Sequence, residues 1–370
     1  MPFPDFNFSK KPSRIVGEEE AYKNARKLYD FWYYPGYDFG TWHKPNISAA
    51  QHFISKSITY TSNSYGMRDK EREEKSPSTR VLFLGDSFVE GVGVADNDRI
   101  TNILEKISGT EILNFGMNGN CGPVQEWLIY KHFSSVFSHD AVFIGLFTAN
   151  DFWDLDMNYN YNLLLPGMRP FLDGQYPNFS IVYRGTGYAP PAPPSKFPTT
   201  LHKIKMAVLS YSATARVWGY LELFYRGKIP TVPRIDYSGY YDFTQDQWDR
   251  FRYSLEQIII IASPRPVLVF IFPSYEDFAR YEKEGSKKPP LIKKMEGLSK
   301  ELGFTFLDLF PGFKAQGGDM KRFHLFSEGD GHWNPVGNKL AAEIMYPVMK
   351  EMLNRIEMGK HAKSNSAIRN

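Results

Sequence analysis

Ser87, Asp330 and His332 are the residues whose types and surroundings point most directly to shared chemistry. Acyl transfer through serine needs an activated hydroxyl, a base, a group that orients the base, and donors for the charge that builds on the substrate oxygen. Ser87 lies in RVLFLGDSFVEGV, residues 80–92, where the apolar run Val81–Leu84 is followed by Gly85-Asp86-Ser87. A strand ending in such a turn carries its last side chain to the carboxyl edge of a sheet, where open α/β folds place their ligands. Gly, Asp and Ser are also ordinary turn residues, so this stretch alone leaves a plain polar turn open. A serine hydroxyl is a poor nucleophile and needs a neutral imidazole within reach. Of the eight histidines, His332 stands in a polar loop just ahead of Pro335, a residue suited to the first turn of a helix. Asp330 precedes it by two residues, so one loop can place both acid and base. His132 reads as a helix-surface residue.

The run GDSF at 85–88 resembles the first block of the SGNH/GDSL hydrolase family. Asn114-Phe115-Gly116-Met117-Asn118-Gly119 resembles the second, Asn150-Asp151 the third, and Asp330-Gly331-His332-Trp333-Asn334-Pro335 the last. The four stand in family order. The resemblance implies an α/β three-layer sandwich with a central, mostly parallel sheet, and a serine esterase that needs no cofactor or metal. It implies Ser87 as nucleophile, His332 as base and Asp330 as the acid that orients it. The implied oxyanion hole combines the Ser87 and Gly119 backbone N–H groups with the Asn150 side-chain amide. Gly116 replaces Gly119 if the loop register differs.

Two positions depart from the commonest family pattern. Many members carry the acid three residues before the histidine, where this chain has Gly329. The Asp-x-His spacing followed by Trp is similar to the bacterial carbohydrate esterase and O-acetyltransferase-like branch, with Glu328 as the fallback acid. The family usually has glycine two residues before the Asn, where this chain has Thr148. The alternative for Asn150-Asp151 is a strand-end cap. His324 is the nearest rival base but lacks a matching acid in the family arrangement. Asp86 and Asp308 read as structural.

The expected activity is therefore removal of O-acyl groups, chiefly O-acetyl, from a carbohydrate or glycan precursor through an acyl-enzyme. The alternatives are a carbohydrate O-acetyltransferase using the same triad, and a glycan-binding protein on a degenerate hydrolase scaffold. Trp153, Tyr275 and Trp333 are candidate substrate-facing rings, with core packing as their other reading. Arg68, in NSYGMRD at 63–69, either anchors an N-terminal arm or reads a substrate oxygen.

Composition narrows the classes. The chain has 370 residues, 42% hydrophobic and 16% aromatic, enough for a large core. A net charge of +3 gives no nucleic-acid footprint. The single cysteine, Cys121, excludes a disulfide scaffold and a cysteine-rich metal site. There is no histidine pair at ligand spacing, and no apolar run of membrane-spanning length. Read as it stands the chain is expected in the cytoplasm; with an export segment removed, it belongs in the periplasm or outside the cell. The expected partner is a small ester or an acylated glycan.

The elements that must position these residues read as follows. Residues 1–78 form an N-terminal arm with short strands between Phe39 and Tyr65, a helix over 18–32, and a charged, exposed linker over 69–78. A catalytic domain covers 79–358. Its strands are expected at 80–85, 111–115, 141–147, 266–272 and 304–309. Its helices are expected at 99–107, 123–137, 244–261, 291–302 and 335–352, with 310–326 loop-like. An insertion over about 152–245 interrupts it, with a strand at 179–183, a stiff APPAPP at 189–194 and a helix over 200–225. Residues 359–370 are expected as a flexible tail.

Overall fold

Alternation along the apolar strands decides the layers. A strand buried on both faces reads as a continuous apolar run, and successive side chains still point to opposite sides. In the computed structural model, which describes residues 15–16, 33–118, 121–157, 167–186, 237–285 and 287–368, Leu82 and Leu84 join one apolar cluster while Val81 and Phe83 join another.

In chain order, the arm contributes β1 (Ile15–Val16), β2 (Tyr33–Tyr37), β3 (Gly40–His43), β4 (Ser48–His52) and β5 (Ser57–Thr61). The core then runs through β6 (Arg80–Gly85), α1 (Ser87–Glu90), α2 (Ile100–Ser108), β7 (Glu111–Gly116), α3 (Pro123–Phe133), β8 (Ala141–Phe147) and α4 (Asp151–Asp154). A hairpin of β9 (Gly167–Gln175) and β10 (Asn178–Thr186) follows. The remainder is α5 (Gln245–Ala262), β11 (Val267–Phe272), α6 (Tyr275–Lys283), α7 (Pro290–Leu302), β12 (Thr305–Asp308), α8 (Phe310–Lys314) and α9 (Pro335–Ile368).

The central sheet has five strands in the order β12-β11-β8-β6-β7, all parallel. Apolar stripes of α3, α5 and α7 cover one face: Trp248, Phe251, Leu255 and Ile258 of α5 recur at helical spacing. The other face is covered by α2 and by Ala341, Met345, Met349 and Met352 of α9. This is the three-layer α/β architecture expected from the sequence. The switch in strand order puts β6 between β7 and β8, so the carboxyl ends of all three open at one crevice.

Several boundaries differ. The stretch 310–326 holds α8 and a short 3-10 turn at Met320–Phe323, because Phe310, Phe313 and Phe323 bury their rings. The last helix continues past Met352 and Gly359 to Ile368. The stretch 69–78 is exposed at Lys70, Glu71, Glu73, Lys75, Pro77 and Ser78, as expected, but it is pinned by two buried charges, Asp69 and Arg72, and Arg72 donates to Asp69, Glu105 and the Ile112 carbonyl. Both charges compensate each other inside, which charge content alone does not reveal. The helices over 18–32 and 200–225 and the run at 189–194 lie outside the described residues.

The arm's two antiparallel hairpins, β2–β3 and β4–β5, bring Phe39, Trp42 and Met67 into the main apolar cluster. The Trp42 ring is fully buried against Phe115 and Phe133, and its Nε1 donates to the Tyr65 carbonyl at 2.8 Å. Trp42→Ala is expected to cost about 3–5 kcal/mol, the usual range for emptying a buried aromatic site. Urea unfolding measures this; a loss under about 1 kcal/mol would mean that the arm is only loosely docked.

Candidate active site

β6 ends at Gly85, where a side chain has no room: a Cβ would stand 2.3 Å from Val89 and 3.3 Å from the Gly145 carbonyl. The chain turns there, and Asp86 caps the short α1 by accepting the Phe88 N–H at 2.9 Å. Ser87 is the first residue of that helix and is largely buried. The structural reading of Asp86 thus holds as local geometry, though its carboxylate also faces the cavity beside Ser87.

The partner loop approaches from α9. Pro335 opens that helix, and Asn334 Oδ1 accepts the N–H groups of Val336 and Gly337 at 2.9 and 3.0 Å. Trp333 is buried, its ring stacked on Phe313 and set edge-on to Phe88. That packing fixes His332, whose Nε2 lies 2.7 Å from Ser87 Oγ. Asp330 Oδ1 lies 2.5 Å from His332 Nδ1 and also accepts the His332 N–H at 2.8 Å. Burial pushes the Asp330 carboxyl up, but the hydrogen bonds and charge of His332 outweigh it and hold the group below its usual range. Glu328 is engaged elsewhere, accepting the Ser55 N–H at 2.8 Å. His324 is buried with Nδ1 on the Met320 carbonyl at 3.0 Å. The geometry therefore joins Ser87 to His332 and Asp330, and joins neither alternative to Ser87.

The opposite wall comes from the ends of β7 and β8. Gly116 packs against the backbone of α1, where a Cβ would meet the Glu90 nitrogen at 2.0 Å, so it lines no cavity. Gly119 lies outside the described residues. Asn118 lines the cavity, and its N–H donates to Glu90, whose carboxylate also pairs with His43 of the arm at 3.2 Å. Asn150 lines it too; its side chain makes no capping bond to α4 and instead donates from Nδ2 to Asp154 Oδ2 at 2.7 Å. Thr148 has a use that glycine lacks. Its Oγ1 lies 2.5 Å from Asp277, which also takes Ser238 Oγ at 2.5 Å and the Ser274 N–H at 2.7 Å. Burial lifts the Asp277 carboxyl to about 6.

The cavity measures about 350 Å³, and Ser87, His332, Asn118, Asn150, Tyr275 and Phe326 are among its walls. A larger groove of about 1110 Å³ runs along β12 past Tyr281, Phe310 and Lys314 and touches none of them. Of the sequence-named rings only Tyr275 borders the cavity. Trp333 is core, and Trp153 packs on Tyr237 at 4.9 Å. Arg68 is fully buried behind α1, donating to the Gly91 and Val94 carbonyls at 2.5 and 2.7 Å with its guanidinium over Tyr60. Its place corrects the substrate-contact reading: the guanidinium satisfies carbonyls at the open end of α1. Asp308 accepts the Tyr240 hydroxyl at 2.6 Å and the Phe310 N–H, at the start of α8, at 3.0 Å, a structural place.

Sequence reasoning missed His43, Glu90, Asp154, Arg169 and Asp277. Glu90 alone had a signal, its position in the same turn as Ser87. Among the described residues no group of three His, Cys, Asp or Glu side chains is disposed to hold a metal ion, and no helix is long and apolar enough to cross a membrane.

No protein-family model and no curated protein matches the chain. Among solved structures it is similar to a member of the lipolytic protein G-D-S-L family from Veillonella parvula, at 13% identity and a TM-score of 0.37, over 74% of this chain and 99% of that one. It is also similar to the lipase/acylhydrolase from Enterococcus faecalis, at 11% identity and a TM-score of 0.39, over 74% and 96%. Likenesses this distant carry no argument about chemistry, which rests on the side chains above.

Burial raises Asp86 from 3.8 to about 7. An acid that ionises later in the folded chain than in the unfolded one favours folding fully at low pH and loses that contribution as the pH climbs through the interval. Asp86→Asn keeps a capping side chain without the charge. Its melting temperature relative to wild type is expected to rise between about pH 5 and about pH 8. Thermal melts at both values test this; an unchanged difference would mean that Asp86 keeps its charge throughout.

Proposed function

We propose that this chain is a serine-dependent acyl-transfer enzyme of the SGNH/GDSL type, acting on O-acyl groups, chiefly O-acetyl, of a carbohydrate or glycan precursor. One observation carries the reading: an unbroken chain of hydrogen bonds from Asp330 through His332 to Ser87, opening into a cavity that Asn150 shares. The four sequence blocks in family order support it independently.

In this reading His332 Nε2 takes the Ser87 proton as Oγ attacks the ester carbon. Asp330 holds the imidazole and stabilises the cation that forms. The oxyanion is met by the Ser87 N–H, at the positive end of α1, and by the Asn150 amide. Collapse expels the sugar oxygen, which takes the proton from His332. Water or a second hydroxyl then attacks the acyl-enzyme by the reverse route. A cavity of about 350 Å³ suits a short acyl group. Tyr275 and Phe326 at its wall offer faces for a sugar ring, and Asn118, Ser274 and Glu276 offer hydrogen-bonding groups.

Hydrolase and transferase share every step to the acyl-enzyme. Acetate released from acetylated sugars without an acceptor marks the first; transfer that needs a sugar acceptor marks the second. The deciding experiment on the chemistry is intact mass after treatment with a small fluorophosphonate. One adduct is expected on wild type and none on Ser87→Ala, and ester turnover is expected to fall by about a thousandfold or more in His332→Ala. A folded wild-type protein that takes no adduct would remove the triad reading and leave glycan binding as the alternative.

A further inference from the structure

The insertion sends one cation to the back of the cavity. Arg169, on β9, is buried, and its Nη1 donates to Asp154 Oδ1 at 2.8 Å. Its Nη2 donates to the Asp154 carbonyl at 2.7 Å. Asp154 is buried too, and its other oxygen, Oδ2, receives Asn150 Nδ2 at 2.7 Å. Three residues thus stand in line: guanidinium, carboxylate, amide. An amide nitrogen has two hydrogens, so the bond to Asp154 fixes one and aims the other.

The arrangement sets an electrostatic problem. A carboxylate that holds an oxyanion donor also opposes the negative charge which that donor serves, and burial strengthens the opposition. The other carboxyls facing Asp154 are Asp86 after β6, Glu126 on α3 and Asp151 on its own helix, with the Cys121 thiol beside them and His332 across the cavity. Burial, reinforced by mutual repulsion, pushes Asp86 up to about 7 and Glu126 and Asp151 well above the ordinary carboxylate range. Among the described residues, Arg169 is bonded to Asp154 of this group.

We infer that Arg169 is a positioning residue for acyl transfer: it neutralises Asp154, so that this carboxylate can hold the Asn150 amide at the oxyanion position without repelling the charge that forms there. The inference rests on the acyl-transfer reading of Ser87. It also gives the insertion a role in the chemistry. The same hairpin accepts Gln125 Nε2 at the Pro170 carbonyl at 2.7 Å, and Gln125 Oε1 takes the Gly122 N–H at 3.0 Å, so both flanks of the oxyanion wall are braced from β9.

The test is steady-state hydrolysis of nitrophenyl acetate by wild type, Arg169→Gln and Arg169→Gln/Asp154→Asn, at about pH 6 and about pH 8. Arg169→Gln is expected to lower kcat by about 10- to 100-fold at the higher pH, with KM changed by less than about threefold. The loss should shrink at the lower pH, because a buried carboxylate stripped of its counter-ion takes up a proton. The double variant should recover at least about tenfold over Arg169→Gln, since the amide oxygen that Asp154→Asn introduces still accepts from Asn150 and no net charge remains. A kcat for Arg169→Gln within about threefold of wild type overturns the inference, as does a pH-independent loss that the second substitution leaves unrepaired. If Arg169→Gln does not fold, the double variant decides: kcat within about 30-fold of wild type supports the inference, and a larger loss overturns it. A wild-type protein that neither hydrolyses the ester nor takes the fluorophosphonate adduct overturns the acyl-transfer reading itself, and the inference with it.

Discussion

A single 2.7 Å hydrogen bond between His332 Nε2 and Ser87 Oγ joins residues 245 positions apart, and most of the structure bears on keeping it in place. Such a bond loses strength steeply with small errors of distance and angle. Each end is therefore seated on packed rings and capped turns. Asp86 caps α1, and Phe88 lies between the His332 imidazole and the Trp333 indole at 5.1 Å from each. Asn338 of α9 accepts the Ile100 N–H at 3.2 Å, tying the helix that follows the His332 loop to α2.

The second constraint is charge in a place without water. Carboxyl groups crowd behind the cavity, and a buried carboxylate is costly unless it is paired or protonated. The chain moves towards both solutions. Arg169 pairs with Asp154, while burial lifts Asp86 to about 7 and pushes Glu126 and Asp151 well above the usual carboxylate range. On the far side of α1, His43 pairs with Glu90, whose carboxylate in turn holds the Asn118 N–H. In Glu90 the histidine and neighbouring Arg68 overcome the burial that would otherwise raise the carboxyl. The two pairs bring opposite parts of the chain, the arm and the insertion, to the same loop system.

That convergence explains why the regions around the α/β core are more than decoration. The arm supplies Trp42 to the main apolar cluster, Arg68 to the carbonyls that end α1, and His43 to Glu90. The insertion's hairpin supplies Arg169 and the Pro170 carbonyl. Each contributes buried polar contacts to a wall that the sheet alone leaves open.

What the sequence determined by itself was whatever is written within a few neighbouring residues. The apolar runs at 81–84, 141–147 and 267–272 announced buried parallel strands, and GDSF, Asn150-Asp151 and DGHWNP named Ser87, Asn150, Asp330 and His332, which the fold brings to one crevice. The turn chemistry of Gly85-Asp86 and the helix start at Pro335 were legible for the same reason: capping and turning are local. Tertiary structure alone decided which charges are inside. Asp69, Arg72, Arg68 and Arg169 look like surface residues until their partners arrive, and those partners are 3 to 40 positions away for Arg72, 22 to 28 for Arg68, and 15 and 44 for Arg169. It also decided between rings of one type, burying Trp333 as core and leaving Tyr275 at the cavity wall. Burial belongs to the assembled layers, so no stretch of sequence carries it alone.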